Sequence, residues 1–344
     1  MKVFRMFLVM GVMLGIVACS QNVGAWEDYG YAWESPVDQI SLPCVIGDAD
    51  RFGEEGSIPS ELPLYKMYYN PNWKGVHLAT SPDGATWEYV DKVTDGRWPV
   101  VVYSAEGFGA GDAKYKMWYS AAHPASETGR QETSSFRVIE SGDGLTWGEE
   151  TACSDGDSQH KLVGGNGAWN TGSYGPERVF YNADGSETAD PSEPMSNKYV
   201  MYYNVYGVLQ EGGQSVGHSS VGLAVSADGV SWYSVGGEPV LKGSAGGVGL
   251  IEFADIARDS NGYVMNFTRT LSGSTHRIGE ATSTDGVTWT VTSTDIEAVR
   301  PDDTRKPVFS LSIGYDPQSG ELQMWRAVRD QTEGKVFLYY ACEE

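Results

Sequence analysis

Positive charge is scarce in this chain. Its 344 residues carry 46 Asp and Glu against 24 Lys and Arg, a formal charge of −22. Nucleic-acid phosphates and anionic lipid headgroups would both be repelled, so neither is an expected partner. Histidine and cysteine are few as well: five His, at 77, 123, 160, 218 and 276, and four Cys, with no CxxC, HExxH or HxH spacing. A zinc site is not expected, and no other metal or cofactor is called for. Heptad stretches and low-complexity tracts are lacking, which excludes a coiled coil, a collagen-like rod and wholesale disorder. What is plentiful is Gly (43), Tyr (20) and Trp (11). That composition suits many short strands joined by tight turns, and the length allows two domains or one large all-β domain.

One apolar run stands out. Lys2 and Arg5 precede thirteen apolar residues from Met6 to Ala18, too few to span a bilayer but suited to the core of a signal peptide. The run ends Ile16-Val17-Ala18-Cys19-Ser20. This resembles the bacterial lipobox, in which the Cys is lipidated and becomes the new N-terminus. The resemblance implies a signal peptide over 1–18, a tether over 19–30 and a lipid anchor at Cys19. The protein would then sit in the bacterial cell envelope, on the outer membrane or cell surface. An ordinary signal peptide with a coincidental Cys is the alternative. Export leaves Cys44, Cys153 and Cys342, which allow at most one internal disulfide.

A repeat dominates the remainder. Four segments follow S-x-D-G-x-[ST]-W: Ser81–Trp87, Ser141–Trp147, Ser226–Trp232 and Ser283–Trp289. Asp-Gly suits turn positions where φ is positive, the Asp carboxylate can accept nearby backbone N–H groups, and the Trp can pack back over the hairpin. Upstream of each stands a second repeat centred on Met67, Met117, Met201 and Met265, with a fifth copy at Met324. Each unit also opens with a strand: Leu42–Ile46, Pro99–Tyr103, Pro176–Tyr181, Phe253–Ala257 and Val308–Tyr315. Strand, Met strand, alternating strand, Asp-Gly turn and Trp strand make one four-stranded antiparallel blade. Five units predict an all-β, five-bladed β-propeller over 31–344. The fifth unit lacks its Trp strand, and the segment around Trp26–Val37 is available to close the ring.

Blades of this pattern resemble the five-bladed propellers of the furanosidase superfamily, which includes glycoside hydrolase family 43, invertases and levansucrases, and mannoside phosphorylases. Sialidases have a different Asp-box, with one residue between Asp and Gly, and six blades. The resemblance implies an exported monomer acting on an oligo- or polysaccharide through carboxylates in a central funnel. A non-catalytic carbohydrate-binding lipoprotein on the same scaffold is the alternative.

In the family 43 pattern a base Asp comes from the first blade, a pKa-tuning Asp from the second and an acid Glu from the third. Carried over blade by blade, the candidates are Asp38, Asp95 and Glu177. The sequence departs from the pattern: no Asp adjoins Pro43, and Trp98 stands before Pro99 where the invertase motif has Asp. Candidate substrate contacts are Arg97, Trp98, Trp169, Glu252, Asp255 and Arg305. Trp33 and Trp73 also fall outside the repeat. Glu177 and Glu252 have a plainer reading as ion-pair partners of Arg97, Arg178 or Arg305. The repeat Asp and Trp residues read as turn and packing residues, and the Met residues as core.

Overall fold

The structure, a computed structural model, describes residues 26–343 apart from 55–61, 73, 110, 122–135, 165–168, 174, 212, 244–247, 272–274, 297–307 and 330–334. The stretch read as a signal peptide, Cys19, Trp73 and Arg305 lie outside the described residues.

Five antiparallel sheets stand around a common axis. Strand β1 (Trp26–Trp33) is first in the chain and last in the ring. Blade 1 is β2 (Ile40–Gly47), β3 (Tyr65–Pro71), β4 (Val76–Ser81) and β5 (Glu88–Thr94). Blade 2 is β6 (Arg97–Tyr103), β7 (Tyr115–Ser120), β8 (Phe136–Ser141) and the short β9 (Thr151–Ala152). A short β10 (Ser154–Asp155) then adds in parallel to the outer edge of blade 3. That blade is β11 (Pro176–Tyr181), β12 (Tyr199–Glu211), β13 (Gln214–Ser226) and β14 (Ser231–Ser234). Blade 4 is β15 (Leu250–Arg258), β16 (Tyr263–Leu271), β17 (Thr275–Ser283) and β18 (Thr290–Ser293). Blade 5 is β19 (Val308–Tyr315), β20 (Leu322–Arg329) and β21 (Val336–Glu343), completed by β1 antiparallel to β21. The ring-closing strand is the segment the sequence offered. It begins at Trp26, however, so the propeller reaches into the stretch read as tether.

The Met strands of blades 1, 2 and 5 are buried on both faces, which shows where the core sits. The five Met side chains are fully buried, and the apolar residues fall into five clusters, each wedged between two neighbouring blades. No single centre holds the molecule together; five interfaces do.

Those interfaces are fastened by the repeat. In each copy the Ser hydroxyl accepts the Gly N–H at 2.8 Å and the Asp Oδ1 accepts the next two N–H groups, at 2.9 and 2.7 Å from Ala85 and Thr86 in the first. The four glycines have φ between 72° and 78°, open to glycine and strained for other residues. The buried Gly carbonyl then receives a donor from the preceding blade, always from the residue after Met. Tyr68 donates to Gly144 at 2.9 Å, Trp118 to Gly229 at 2.7 Å, Tyr202 to Gly286 at 2.5 Å, and Trp325 to Gly84 at 2.8 Å. The same four aromatics meet the Trp of that turn edge-on, with interplanar angles of 77–85°. Asn266 holds the position in blade 4, where blade 5 has no Asp-Gly turn to receive it. Buried Lys66 and Lys116 reinforce two joints by reaching Tyr115 Oη at 2.9 Å and Tyr199 Oη at 3.1 Å in the next blade.

The sequence left room for one disulfide among Cys44, Cys153 and Cys342. All three are free and buried. Burial pushes the Cys44 thiol up to about 11 and the Cys153 thiol up to about 12, so both are unreactive.

Candidate functional site

The five inner strands share a device that was not read from the sequence. Each is irregular near its start: between Ser41 and Cys44, Arg97 and Val100, Pro176 and Arg178, Ile251 and Phe253, and Val308 and Ser310. Bulges re-aim side chains that a regular strand would point elsewhere. The displaced residues are Leu42-Pro43, Trp98-Pro99, Glu177, Glu252 and Phe309. Leu42 and Trp98 take up strained backbone at the bulge, with φ of 52° and 54°. Both are held from neighbouring strands, the Leu42 N–H by Ser310 Oγ at 2.8 Å and the Trp98 N–H by Asn70 Oδ1 at 2.9 Å. Prolines inside inner strands were the available signal, because Pro in a sheet marks a bulge or an edge.

Just past the bulges, register sets one residue from each inner strand opposite the residue that follows Met. This layer is Cys44, Val100, Arg178, Asp255 and Ser312. Arg178 grips Asp255 with two bonds of 2.6 Å and donates a third, of 2.7 Å, to the Ile313 carbonyl. Asp255 also accepts Ser312 Oγ at 2.9 Å and the Ile256 and Ile313 N–H groups at 2.8 Å each. Burial works against the Arg178 charge, and the Asp255 carboxylate more than offsets it. Asp255, read from sequence as a substrate contact, therefore has both oxygens occupied by the protein. It closes the axis and ties blades 3, 4 and 5 together.

Above that layer a cavity of ≈ 20 Å³ remains, room for about one water. Trp98, Glu177, Phe253 and Ser310 are among its walls. Trp98 lies against Phe253 with ring centroids 5.7 Å apart. Glu177 Oε2 accepts the Ala254 N–H at 3.1 Å, while Oε1 is shut off from solvent with no partner among the described residues. Burial, aided by the nearby Asp255 charge and only partly countered by that N–H, holds its pKa well above the ordinary carboxylate range. Burial thus favours the protonated form of Glu177, and Arg178 turns away from it to Asp255.

The other candidates are placed differently. The Asp95 side chain is 86% exposed beside Lys92, and Asp38 pairs with Lys74 at 2.5 Å. Both carboxylates are held below their ordinary pKa, chiefly by those lysines. Neither lines the axial cavity, so the structure does not bring the three carried-over carboxylates together. Glu252 is half-buried and accepts a bond from Thr270 Oγ1. Arg97 stands at the start of β6, partly buried. The Trp169 carbonyl accepts His218 Nε2 at 2.6 Å, and its ring packs against the cluster between blades 2 and 3, outside the cavity walls. Among the described residues, no three His, Cys, Asp or Glu side chains are grouped to hold a metal ion.

No protein-family model matches the sequence, and no curated protein is significantly similar to it. Solved structures are similar in fold. A complex of BT0996 with RGII superposes with a TM-score of 0.65 at 17% identity, over 94% of this chain and 92% of that one. A thermostable family-43 glycoside hydrolase gives 0.56 at 16%, over 90% and 91%. An N-acetylgalactosamine deacetylase from F. plautii, in complex with blood group B trisaccharide, gives 0.51 at 15%, over 93% and 94%. The chain shares their five-bladed fold. Hydrolase and deacetylase both occur on it, so chemistry has to be argued from the site.

Proposed function

We propose that the protein is an exported, lipid-anchored glycosidase in which Glu177 protonates the leaving oxygen of a glycan. The observation that carries this reading is the buried Glu177 carboxyl, its pKa raised by burial and its Oε1 unengaged beside the axial cavity. A general acid needs both properties at neutral pH. Glycoside cleavage also needs a second carboxylate. The candidate for base or nucleophile is Glu252, the bulge residue of the neighbouring inner strand, whose carboxylate accepts Thr270 Oγ1. The cavity at Oε1 holds about one water, so the sugar has to part the packed Trp98 and Phe253 rings, which then offer it an aromatic surface.

The binding-protein reading draws on one observation as well: the carboxylates carried over from blades 1 and 2 are tied by Lys74 and Lys92. A panel of glycans separates the two. Glu177→Gln should lower turnover of an unactivated glycoside by about 10²–10⁴-fold while binding stays measurable, with a much smaller loss on an activated aryl glycoside. Binding without turnover by the parent protein supports the alternative. For the anchor, Cys19→Ala should move the protein from the membrane fraction to the soluble one, and unchanged membrane association would remove that assignment.

A further inference from the structure

Beside the axial cavity, between the inner strands of blades 1 and 5, lies a second pocket of ≈ 230 Å³. The two share Leu42, Phe253 and Ser310, so a ligand in one abuts the other. The wall is mostly apolar, and the bulge residue Phe309 forms part of it. At its edge stands Arg329, the last residue of β20, with its guanidinium 5.9 Å from the centre of the Phe309 ring.

Arg329 is unusual in this chain. Acidic residues outnumber basic ones 46 to 24, and the neighbouring cations are taken: Lys74 by Asp38 and Lys335 by Glu34. Arg329 is exposed yet makes no ion pair among the described residues. A guanidinium beside an aromatic ring and open to solvent keeps its donors free for the forked pair that fits a planar carboxylate. We propose that this pocket takes a uronic acid residue of the glycan, its carboxylate on Arg329 and its C–H face against Phe309. The inference rests on reading the adjoining axial face as a sugar site, and it names the substrate class. The overall charge of −22 narrows the class further. A run of acidic sugars would be repelled at long range, so the fitting glycan carries an isolated uronate among neutral residues.

The test measures binding of methyl glucuronide and methyl galacturonide against the matching neutral methyl glycosides, by calorimetry at fixed ionic strength. The parent protein should prefer at least one uronide by tenfold or more. Arg329→Gln should remove that preference without changing the neutral affinity, and Arg329→Lys should restore part of it. Raising salt should weaken the uronide alone. Equal binding of acid and neutral sugar, no binding of either, or an unchanged preference in Arg329→Gln would overturn the proposal. Glu177→Gln separates the two readings: it should lower turnover of the unactivated glycoside and keep the uronide preference. Retained turnover in that variant counts against the glycosidase assignment and leaves the Arg329 result standing.

Discussion

The rim and the axis of this propeller are built on opposite plans. At the rim, four of the five joints use the same parts: an Asp-Gly turn, the Gly carbonyl, and an aromatic from the preceding blade that both donates to it and meets the turn's Trp edge-on. At the axis no two strands agree. The layer past the bulges holds a thiol, a valine, an arginine, an aspartate and a serine. Repetition serves assembly, because each blade must fit the next. Binding or chemistry on a five-fold axis needs unlike groups converging on one point, so that region must depart from the repeat. The residues to question are therefore the ones the repeat does not account for.

The largest effect should come from the axis. Arg178→Ala leaves the Asp255 carboxylate buried and unpaired, at a cost of about 3–5 kcal/mol in denaturant unfolding. Replacing both partners with apolar residues of similar volume should cost far less, since no charge is then stranded. If the single variant unfolds like the parent, the axial ring is filler rather than a fastening.

Glu177 should break the comparison in the other direction. Its folded pKa is raised, so its contribution to stability is whole below the unfolded value, about 4.3, and is lost as pH rises toward the folded one. The parent should therefore weaken as pH climbs above about 4.3, and Glu177→Gln should flatten that decline. At pH 7 the variant should be the more stable, because unfolding of the parent releases a proton that the amide does not carry. A variant less stable than the parent at every pH would make Glu177 a structural residue.

The rim was legible and the axis was not, for a physical reason. Met67 and its counterparts, the Asp-Gly turns and the missing strand of blade 5 repeat at recognisable spacing, and repetition is what a single sequence displays. Leu42, Glu252 and Phe309 gain their positions from bulges, which depend on how two strands pair. Even Glu177, found from its place after Pro176, owes its raised pKa to burial that only packing creates. Asp255 looked like a ligand contact because nothing in Glu252-Phe-Ala-Asp255 announces the Arg178 bond from another blade.

The turns themselves should show a smaller and acid-sensitive effect. Asp285 is held down to about 2, first by the Thr288 N–H, with the Val287 N–H and Ser283 hydroxyl adding to it and slight burial opposing. A depressed carboxylate stabilises above its unfolded pKa and loses that contribution as pH falls through the folded one. Asp285→Ala should cost about 1–2 kcal/mol at pH 7, and the gap to the parent should close between about pH 4 and pH 2. Sugar binding should be unchanged. A large loss of affinity at normal stability would move this turn from scaffold to site.

The finest distinction lies within the rim, between a joint made inside the chain and the one that seals the ring. Trp118 is the donor described for the Gly229 carbonyl, so Trp118→Phe strands a buried acceptor. At the seal the Gly84 carbonyl receives two indoles, Trp325 from blade 5 at 2.8 Å and Trp87 of its own turn at 2.9 Å. Trp325→Phe removes one and leaves the other, so that carbonyl stays satisfied. The edge-on contact with Trp87 also survives in kind, because a phenyl ring can still meet the indole. Trp325→Phe should therefore cost about 0.5–1.5 kcal/mol and Trp118→Phe about 1–3 kcal/mol, measured on the same unfolding transition. Equal costs would mean that the second indole adds nothing at Gly84. A larger cost at Trp325 would make ring closure, rather than hydrogen-bond count, the quantity that the seal protects.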